Sequence, residues 1–456
     1  MLTPLEPWIA DKIGLPPGVP GAPLTAEALR AYQLSRLKET VDFARASSPF
    51  YRERLGALTG DDLRDLNDIA RFPFTTSADI LGDALRLLCV SQSEIERVVT
   101  LCTSGTTGEP KRLFFTAGDL DLTVEFFRHG MSTLVSPGQR VLILMPGELP
   151  GSVGDLLQHG LARMGVEGIV HGIVRDPRAV IAEICAREID CLVGLPVQVL
   201  GLVRHPDAAT IPAGRIKSVL LSTDYVPAAI VCEIERVWGA PVFNHYGMTE
   251  MGLGGGVDCQ ARCGYHLREA DLYFEVVDPE SGLPLPEGEQ GEVVFTTLTR
   301  TGMPLIRYRT GDLSGFVPGQ CACGTVLRRL GWAGGRIAER ARVGDGEVPP
   351  ITLGITDLDE ALFPLPGLLE FGAELVREDG RDTLRVTLVG EAVGEAGANG
   401  QLLARARQAL HTSSALAEIV ERGSLRIAVE AAARVGEPSN GSIKRVLHDR
   451  RRSTPC

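Results

Sequence analysis

The sequence lacks an apolar run long enough to cross a membrane. A membrane-spanning helix needs about 18 consecutive apolar residues, whereas the most apolar stretch, residues 191–203, is interrupted by Pro196 and Gln198. The N-terminus also lacks the basic segment and apolar core of a signal peptide, and it carries Glu6 and Asp11 instead. We therefore expect a cytoplasmic protein that has no membrane partner.

An excess of basic residues is also lacking. The 456 residues include 46 Lys and Arg against 58 Asp and Glu, which gives a formal net charge of −12 at pH 7. Such a charge disfavours binding to nucleic acids, although it allows a small basic pocket around an anionic ligand. No internal repeat is visible. At roughly 150 residues per domain, the length indicates two or three domains.

The order of the predicted elements indicates an α/β protein. Short apolar runs typical of buried strands alternate with helical patterns, and this alternation favours parallel strand pairing. Residues 265–330 are instead rich in strand patterns, and a glycine-containing linker at 331–346 precedes a small α+β segment. The apolar runs are 141–145, 168–170, 191–193 and 219–221.

Local patterns predict further elements. Residues 25–46 carry apolar side chains at helical spacing, and Thr25 is the expected capping residue of this helix. Strands are predicted at 266–277, 291–297 and 305–307. In the small α+β segment, a short helix is predicted at 356–363, with Thr356 as its cap.

The most informative segment reads Thr-Ser-Gly-Thr-Thr-Gly-Glu-Pro-Lys, from Thr103 to Lys111, and it follows a predicted strand. Glycines let the backbone approach an anion and turn its N–H groups toward it, hydroxyls add donors, and Lys111 adds a positive charge. Pro110 distinguishes the segment from a Walker A loop, in which Gly-Lys-Ser/Thr opens a helix. The residues predicted to bind nucleotide phosphates are Ser104, Gly105, Thr106, Thr107, Gly108 and Lys111.

Two further motifs follow this segment in order. Residues 245–250 read His-Tyr-Gly-Met-Thr-Glu, and residues 308–313 read Tyr-Arg-Thr-Gly-Asp-Leu. The three segments resemble the phosphate loop, the Tyr-Gly-x-Thr-Glu motif and the Tyr-Arg-Thr-Gly-Asp motif of the AMP-forming adenylate-forming enzymes, the superfamily of the acyl-CoA synthetases. Within that superfamily the chain is most similar to the phenylacetate–CoA ligase group, notably in the segments 35–41, 48–52 and 72–76. The resemblance covers essentially the whole chain.

The resemblance implies a domain organisation and a reaction. A large N-terminal adenylation domain of several subdomains, residues 1–335, would bind ATP and a carboxylic acid, and a small mobile α+β domain, residues 336–456, would follow it. The implied enzyme is an AMP-forming ligase that activates an aryl or arylacetic acid through an acyl-adenylate and then forms the thioester of coenzyme A. ATP, Mg²⁺ and coenzyme A would take part, and a homodimer is the expected assembly. The sequence leaves the acid itself open.

The resemblance also gives roles to individual residues. Glu250 would bind Mg²⁺, a hard cation that prefers oxygen ligands, and Asp312 would accept hydrogen bonds from the ribose hydroxyls. Lys111 and Glu250 would act in catalysis. The other residues expected to contact the nucleotide are Ser222, Asp224, Tyr246, Gly247, Thr249 and Arg336.

Two segments depart from the superfamily pattern. Relatives usually carry two aspartates at the interdomain hinge, whereas Ala338 and Glu339 stand there in this chain. Near the C-terminus, Ser442 stands where relatives have a catalytic lysine, and Lys444 lies two residues further on. In an extended segment these two side chains point the same way, so Lys444 is a candidate substitute for the catalytic lysine. The alternative is that Lys444 is a solvated surface residue.

Cysteine and histidine residues predict a structural zinc site in the β-rich region, at about 255–330. Thiolate and imidazole groups suit tetrahedral Zn²⁺, and a site with four protein ligands is closed and therefore structural. Similar cysteines and a histidine occur in some proteins of the resembled group, which favours zinc over free thiols and a packed histidine. The predicted ligands are Cys259, His266, Cys321 and Cys323, with Cys263 as a competing fifth candidate.

Two other functions stay compatible with the sequence. An enzyme of the same fold could leave AMP on an acceptor without forming a thioester, and Ser442 at the lysine position favours this alternative. A nucleotide-binding protein without turnover is the other alternative, and the presence of Lys111, Glu250 and Asp312 argues against it. The identity of the product separates the two enzymes, and turnover of any kind separates both from the third function.

Overall fold

The computed structural model describes residues 1–14, 23–101, 110–344, 351–390, 396–433 and 444–451. None of the helices in these ranges is both long and apolar enough to cross a membrane. The chain divides into two compact units. The first unit contains Met1–Ile173, Asp190–Val193 and Phe243–Ala333, and the second contains Val174–Ile189, Gly194–Val242 and Gly334–Cys456.

Helices and strands alternate along most of the described chain. The α-helices are α1 (Leu5–Lys12), α2 (Ala26–Ser47), α3 (Pro49–Leu55), α4 (Ser77–Asp83), α5 (Ala117–Met131), α6 (Val153–Ala162), α7 (Pro177–Ala186), α8 (Pro196–Val203), α9 (Ala228–Trp238), α10 (Ile355–Leu362), α11 (Ala396–Thr412) and α12 (Ala417–Glu421). The strands are β1 (Ile95–Leu101), β2 (Lys111–Thr116), β3 (Arg140–Leu144), β4 (Glu167–Val170), β5 (Cys191–Gly194), β6 (Ser218–Leu221), β7 (Val242–Tyr246), β8 (Gly256–Asp258), β9 (Tyr265–Leu267), β10 (Leu272–Val277), β11 (Gly291–Thr297), β12 (Tyr308–Ser314), β13 (Arg329–Leu330), β14 (Ala341–Val343), β15 (Ile351–Leu353), β16 (Leu368–Glu378), β17 (Arg381–Gly390), β18 (Leu425–Ala431) and β19 (Leu447–Asp449).

The N-terminal helices of the first unit begin at capping residues that the sequence provides. The Thr25 hydroxyl accepts a hydrogen bond from the amide of Ala28 at 3.1 Å and so caps α2, as predicted from the sequence. Ser48 ends α2 and caps α3, because its hydroxyl accepts from the amide of Tyr51 at 3.2 Å. Proline occupies the first turn of α3, where no amide donor is needed.

The first unit contains both parallel and antiparallel pairings. Strand β3 lies between β5 and β4, and it pairs with β4 in the parallel sense, as the alternation of elements predicts. Strands β7, β8, β9 and β13 pair in antiparallel order. Strands β10, β11 and β12 form a separate antiparallel sheet, and β1 pairs with β2 as a two-stranded ribbon. The predicted α/β class is therefore confirmed.

A buried aromatic cluster joins the strands that carry the predicted motifs. It includes Phe114 on β2, Phe274 on β10, Phe295 on β11 and Tyr308 on β12. Each of these side chains is at most 6% exposed, and such large side chains dominate the energetics of a core. The cluster thus fixes β2 and β12, the two strands that begin at Lys111 and Tyr308, within one packed core.

The second unit contains helices α7 to α12 together with β6 and strands β14 to β19. Its largest sheet has the order β18-β17-β16-β19, with β16 and β17 antiparallel and both outer strands parallel to their neighbours. One passage of the chain between the units falls between Ala333 and Gly334, inside the predicted linker. The predicted division into domains 1–335 and 336–456 stays a prediction.

Three local predictions are wrong, each for a physical reason. The strand expected at 305–307 does not form, because Arg307 has a φ of 48°, outside the extended region, and β12 begins one residue later. The strand expected at 266–277 is interrupted by a turn in which the amide of Asp271 donates to the carbonyl of Arg268. Helix α10 is capped by the Asp357 carboxylate, which accepts from the amide of Gly354 at 2.8 Å, and not by Thr356.

Candidate functional site

Lys111 and Glu250 form a buried ion pair in the first unit. Lys111 is the first residue of β2, and Glu250 lies in a short 3₁₀ turn, Thr249–Met251, that follows β7. The ammonium Nζ of Lys111 contacts Oε1 of Glu250 directly. Their side chains are 12% and 3% exposed, so little solvent screens the two charges. The structure thus brings together two predicted catalytic residues that stand 139 positions apart in the sequence.

Two hydroxyl groups complete this arrangement, which we call the Lys111–Glu250 cluster. The hydroxyl of Tyr308 donates to Oε1 of Glu250 at 3.1 Å, and Nζ of Lys111 lies 3.4 Å from the same hydroxyl. Lys111 Nζ also donates to the hydroxyl of Ser77, on α4, at 3.3 Å. The cluster therefore presents one cation, one carboxylate and two hydroxyls, which together can contact phosphate oxygens and a divalent cation.

Sequence reasoning gave no role to Tyr308 or Ser77. Tyr308 opens the Tyr-Arg-Thr-Gly-Asp motif, so the motif itself was a signal that this side chain takes part in the site. Ser77 carries no such signal, because it belongs to none of the three motifs. Its contact with Lys111 depends on how α4 packs near β2.

Tyr246 and Asp312 form a second pair in the same unit. The Tyr246 hydroxyl donates to Oδ2 of Asp312 at 2.9 Å. Burial raises the pKa of Tyr246 well above its ordinary value, and the adjacent carboxylate of Asp312 raises it further, so the phenol keeps its proton. The amide of Asp312, which lies on β12, donates to the hydroxyl of Thr310 at 3.0 Å, and this bond fixes the backbone beside the carboxylate. Asp312 keeps acceptor capacity on its carboxylate besides the Tyr246 contact.

Backbone geometry explains the glycine before the Glu250 turn. A Cβ atom on Gly247 would lie 2.1 Å from the carbonyl oxygen of Leu253, closer than any side-chain carbon can approach. Thr249 begins the 3₁₀ turn, and its carbonyl accepts from the amide of Gly252 at 3.0 Å. Gly247 and Thr249 therefore constrain the backbone that places Glu250, and their contacts with the nucleotide stay predictions.

Four further predicted site residues, Ser222, Asp224, Arg336 and Lys444, belong to the second unit. The amide of Ser222 donates to the carbonyl of Gly194 at 3.1 Å, at the end of β6. Asp224 Oδ2 accepts from the amide of Arg445 at 3.3 Å, so this carboxylate lies beside the residue that directly follows Lys444. Arg336 precedes a 3₁₀ turn, Ile337–Glu339, at the predicted hinge.

Arg445 fixes this C-terminal segment within the second unit. Its guanidinium donates to Oδ1 of Asp359 at 2.5 Å and lies 4.3 Å and 4.8 Å from the ring centroids of Phe371 and Phe363. Burial raises the pKa of Asp359 to about 7, and the nearby Asp224 raises it while Arg445 lowers it. The predicted loop residues Ser104, Gly105, Thr106, Thr107 and Gly108, and also Ser442, lie outside the described residues.

Four predicted zinc ligands meet in the first unit. One ligand atom from each of Cys259, His266, Cys321 and Cys323 lies within 4.8 Å of the others. The Sγ atoms of Cys259 and Cys321 are 3.7 Å apart, and Sγ of Cys323 is 3.5 Å from Nε2 of His266. A disulfide would bring two sulfurs to about 2.05 Å, so these thiols are not bonded to each other.

These separations match those of a tetrahedral zinc site. With Zn–S bonds of about 2.3 Å and Zn–N bonds of about 2.0–2.1 Å, tetrahedral geometry separates two sulfurs by about 3.8 Å and a sulfur and a nitrogen by about 3.6 Å. Burial lowers the pKa of His266 to about 4, and Arg329 lowers it further. The imidazole is therefore neutral, which is the form that binds a metal. The donor set fits Zn²⁺.

Cys263 lies beside this set without belonging to it. Its Sγ is 3.7 Å from Sγ of Cys321, and the Nη1 atom of Arg329 donates to it at 3.0 Å. The group of four whose ligand atoms all lie close together does not include Cys263. The geometry therefore favours the predicted set of three cysteines and one histidine over a set that includes Cys263.

Comparisons with known proteins agree with the motifs. A family described as "AMP-binding enzyme" matches residues 80–299. The phenylacetate-coenzyme A ligase of Thermus thermophilus is 30% identical over 369 residues, which are 78% of this chain and 80% of the relative. The Escherichia coli enzyme of the same name is 29% identical over 323 residues, 68% of this chain and 72% of the relative.

Solved structures show the same fold. A 2-hydroxyisobutyryl-CoA ligase in its postadenylation state, in complex with 2-HIB-AMP, matches with a TM-score of 0.78 and 21% identity, over 94% of this chain and 91% of that one. An anthranilate CoA ligase in complex with anthranoyl-AMP matches with a TM-score of 0.53 and 16% identity, over 78% of this chain and 67% of that one. With the Thermus relative, these findings show that the chain belongs to the phenylacetate–CoA ligase group of the adenylate-forming enzymes, an acid–CoA ligase family.

Proposed function

We propose that this protein is an AMP-forming ligase that joins an aryl or arylacetic acid to coenzyme A. The observation that carries the proposal is the Lys111–Glu250 cluster, in which residues of all three motif regions meet or adjoin. The choice of an aromatic acid rests on the similarity to the two relatives, which are phenylacetate-coenzyme A ligases.

The proposed reaction has two steps. An oxygen of the substrate carboxylate attacks the α-phosphorus of ATP, and the bond to pyrophosphate breaks, which leaves an acyl-adenylate. The thiol of coenzyme A then attacks the acyl carbon, the bond to AMP breaks, and the thiol proton is lost to solvent. Both steps depend mainly on positioning and on neutralising phosphate charge.

The residues of the first unit supply much of this charge control. Lys111 would place its ammonium on phosphate oxygens, and Glu250 would hold Mg²⁺, which would supply further neutralisation of phosphate charge. Tyr308 donates to Glu250 and thereby orients the carboxylate. Asp312, itself held by Tyr246, accepts hydrogen bonds from the ribose hydroxyls.

The roles of the second-unit residues stay predictions. Ser222 and Asp224 would contact the adenine, and Arg336 would lie at the hinge. Lys444 would replace the usual catalytic lysine. Its place next to Arg445, which Asp359 and two phenyl rings hold, supports a defined position for this segment.

We also propose that Cys259, His266, Cys321 and Cys323 bind one structural Zn²⁺. The ligand separations support this proposal, because they match the edges of a zinc tetrahedron. Such a site would tie β9 to the segment 321–323 and so stabilise the β-rich part of the first unit. A cytoplasmic location, a homodimer and the absence of nucleic-acid and membrane partners stay predictions.

A second candidate function is adenylyl transfer to an acceptor other than coenzyme A. Ser442 at the lysine position of the superfamily pattern favours it. Incubation with ATP, Mg²⁺, coenzyme A and a panel of acids, followed by mass spectrometry, separates the candidates. The ligase predicts an acyl-CoA and an equal amount of AMP, whereas the transferase predicts AMP attached to another acceptor and no thioester. A lack of any turnover favours a nucleotide-binding protein.

A further inference from the structure

We propose that Arg300 is a positioning residue that holds the turn of Glu250 and the strand of Lys111 at a fixed position relative to each other. The inference rests on the proposed function, in which these two residues handle Mg²⁺ and phosphate. Arg300 lies in the connection between β11 and β12, and none of the three motifs includes it. Its side chain is buried, with the residue 8% exposed.

The hydrogen bonds of Arg300 reach both segments that carry the cluster. Its Nη1 donates to the main-chain carbonyl of Glu250 at 2.7 Å, and its Nη2 donates to the main-chain carbonyl of Phe114 at 3.2 Å. Phe114 is three residues from Lys111 on the same strand, β2. One rigid planar group therefore bridges the Glu250 turn and the Lys111 strand.

The guanidinium is itself held in place. Its central carbon lies 4.2 Å from the ring centroid of Phe115, which is a cation–π contact in a desolvated setting. Burial lowers the pKa of Arg300, while Asp119 and Glu250 raise it. Because arginine keeps its charge in proteins, both carbonyl contacts are charge-assisted hydrogen bonds.

The connection that carries Arg300 is anchored by other contacts. The amides of Thr301 and Gly302 donate to the two carboxylate oxygens of Asp119, at 2.9 Å and 3.0 Å. Asp119 lies in the first turn of α5 and is itself buried. A substitution at Arg300 thus removes the bridge between the Glu250 turn and β2 and leaves the Asp119 contacts of the connection in place.

Arg300 acts on backbone atoms. Both of its side-chain hydrogen bonds go to main-chain carbonyls. A cavity of about 20 Å³, with room for one water molecule, borders it together with Asp119, Met251 and Arg268. The contribution of Arg300 therefore passes through the backbone atoms that it holds.

The test compares metal binding in three variants with that in the unmodified protein. R300M removes both hydrogen bonds, and R300K keeps the charge and one donor group. The matched control is R268M, because Arg268 is also buried and borders the same cavity, while its side chain donates to Asp271 and to the carbonyl of Leu122 and so holds neither the Glu250 carbonyl nor β2. The readout is the dissociation constant of Mn²⁺, as a paramagnetic substitute for Mg²⁺, in the presence of ATP, measured by electron paramagnetic resonance.

We expect the dissociation constant of Mn²⁺ in the ATP complex to rise about tenfold or more in R300M. The rise should be smaller in R300K, and R268M should bind Mn²⁺ nearly as tightly as the unmodified protein. Circular dichroism and thermal unfolding report whether each variant is folded, and R300K decides the question if R300M does not fold. The inference is overturned if folded R300M has a dissociation constant for Mn²⁺ within about twofold of that of the unmodified protein. If R300M does not fold, the same criterion applies to R300K. An equal loss in R268M also overturns the inference, because it would indicate a general effect on the core.

This readout does not require turnover. If the unmodified protein binds ATP and Mn²⁺ but forms no thioester, the proposed function fails while the comparison at Arg300 still gives a result. If the unmodified protein does not bind ATP and Mn²⁺ at all, the inference is overturned along with the role of Glu250.

Discussion

Replacing Tyr308 with phenylalanine tests the Lys111–Glu250 cluster with the smallest change of shape. The change removes one hydroxyl, which donates to Oε1 of Glu250 at 3.1 Å and lies 3.4 Å from Nζ of Lys111. Tyr308 is 2% exposed and Glu250 is 3% exposed, so water has little access to replace the lost donor. The phenyl ring keeps its place in the aromatic core with Phe295.

The expected loss of rate in Y308F follows from the charge on the acceptor, the carboxylate of Glu250. A hydrogen bond to a charged group contributes about 1.5–3 kcal/mol, and its loss in the transition state slows a reaction about 10- to 150-fold. We therefore expect Y308F to slow the acid-dependent exchange of pyrophosphate into ATP by about that factor, with Mg²⁺ and the acid at saturation. The exchange isolates the adenylation step, because it does not need coenzyme A.

The control is Y273F. Tyr273 is also a buried tyrosine of the first unit, at 7% exposure, and it packs in a different apolar cluster. Thermal unfolding of both variants shows whether the fold is retained. The role assigned to the Tyr308 hydroxyl is refuted if folded Y308F exchanges pyrophosphate within about twofold of the unmodified rate. It is also refuted if Y273F slows the exchange equally.

Three further results are expected. Elemental analysis of the purified protein should give about one Zn²⁺ per chain, which C321S loses and C263S keeps. Zinc retained by C321S, or absent from the unmodified protein, contradicts the proposed site. Burial raises the pKa of Asp359 to about 7 in the folded protein, so between about pH 4 and pH 7 this carboxyl ionises mainly in the unfolded state. The free energy of unfolding therefore falls as the pH rises through this interval. D359N loses less stability than the unmodified protein over that interval in urea unfolding, and equal losses contradict the assigned pKa. G247A forces a Cβ to 2.1 Å from the carbonyl oxygen of Leu253, so we expect pyrophosphate exchange to fall by at least about tenfold, and an unchanged rate shows that the turn adapts.

Much of the fold and part of the site could be predicted from the sequence. Periodic apolar patterns located α2 and the parallel pair β3 and β4, because local periodicity reflects which face is buried. Motifs identified Lys111 and Glu250, and the structure brings them into contact. The predicted zinc ligands converge in the same way, although β9 and the segment 321–323 lie far apart in sequence.

Other features depend on tertiary contacts that no local pattern reports. Arg307 has a positive φ, and its guanidinium pairs with Glu275, a residue on another strand. Strand β12 therefore begins after Arg307, whereas the local pattern predicts a strand that includes it. Ser77 and Arg300 reach the cluster from 34 and 50 positions away, through contacts with Lys111 and with the Glu250 carbonyl. Neither residue stands in a motif, so only packing shows that it touches the site.

The proposed ligase activity is tested most directly by the products formed from ATP, Mg²⁺, coenzyme A and a panel of acids that includes phenylacetate, benzoate, anthranilate and 2-hydroxyisobutyrate. We expect a thioester of an aryl or arylacetic acid and an equimolar amount of AMP, both detected by mass spectrometry, and loss of both products in E250Q. AMP transferred to another acceptor would contradict the ligase, and a thioester that E250Q forms at the unmodified rate would contradict the role of Glu250.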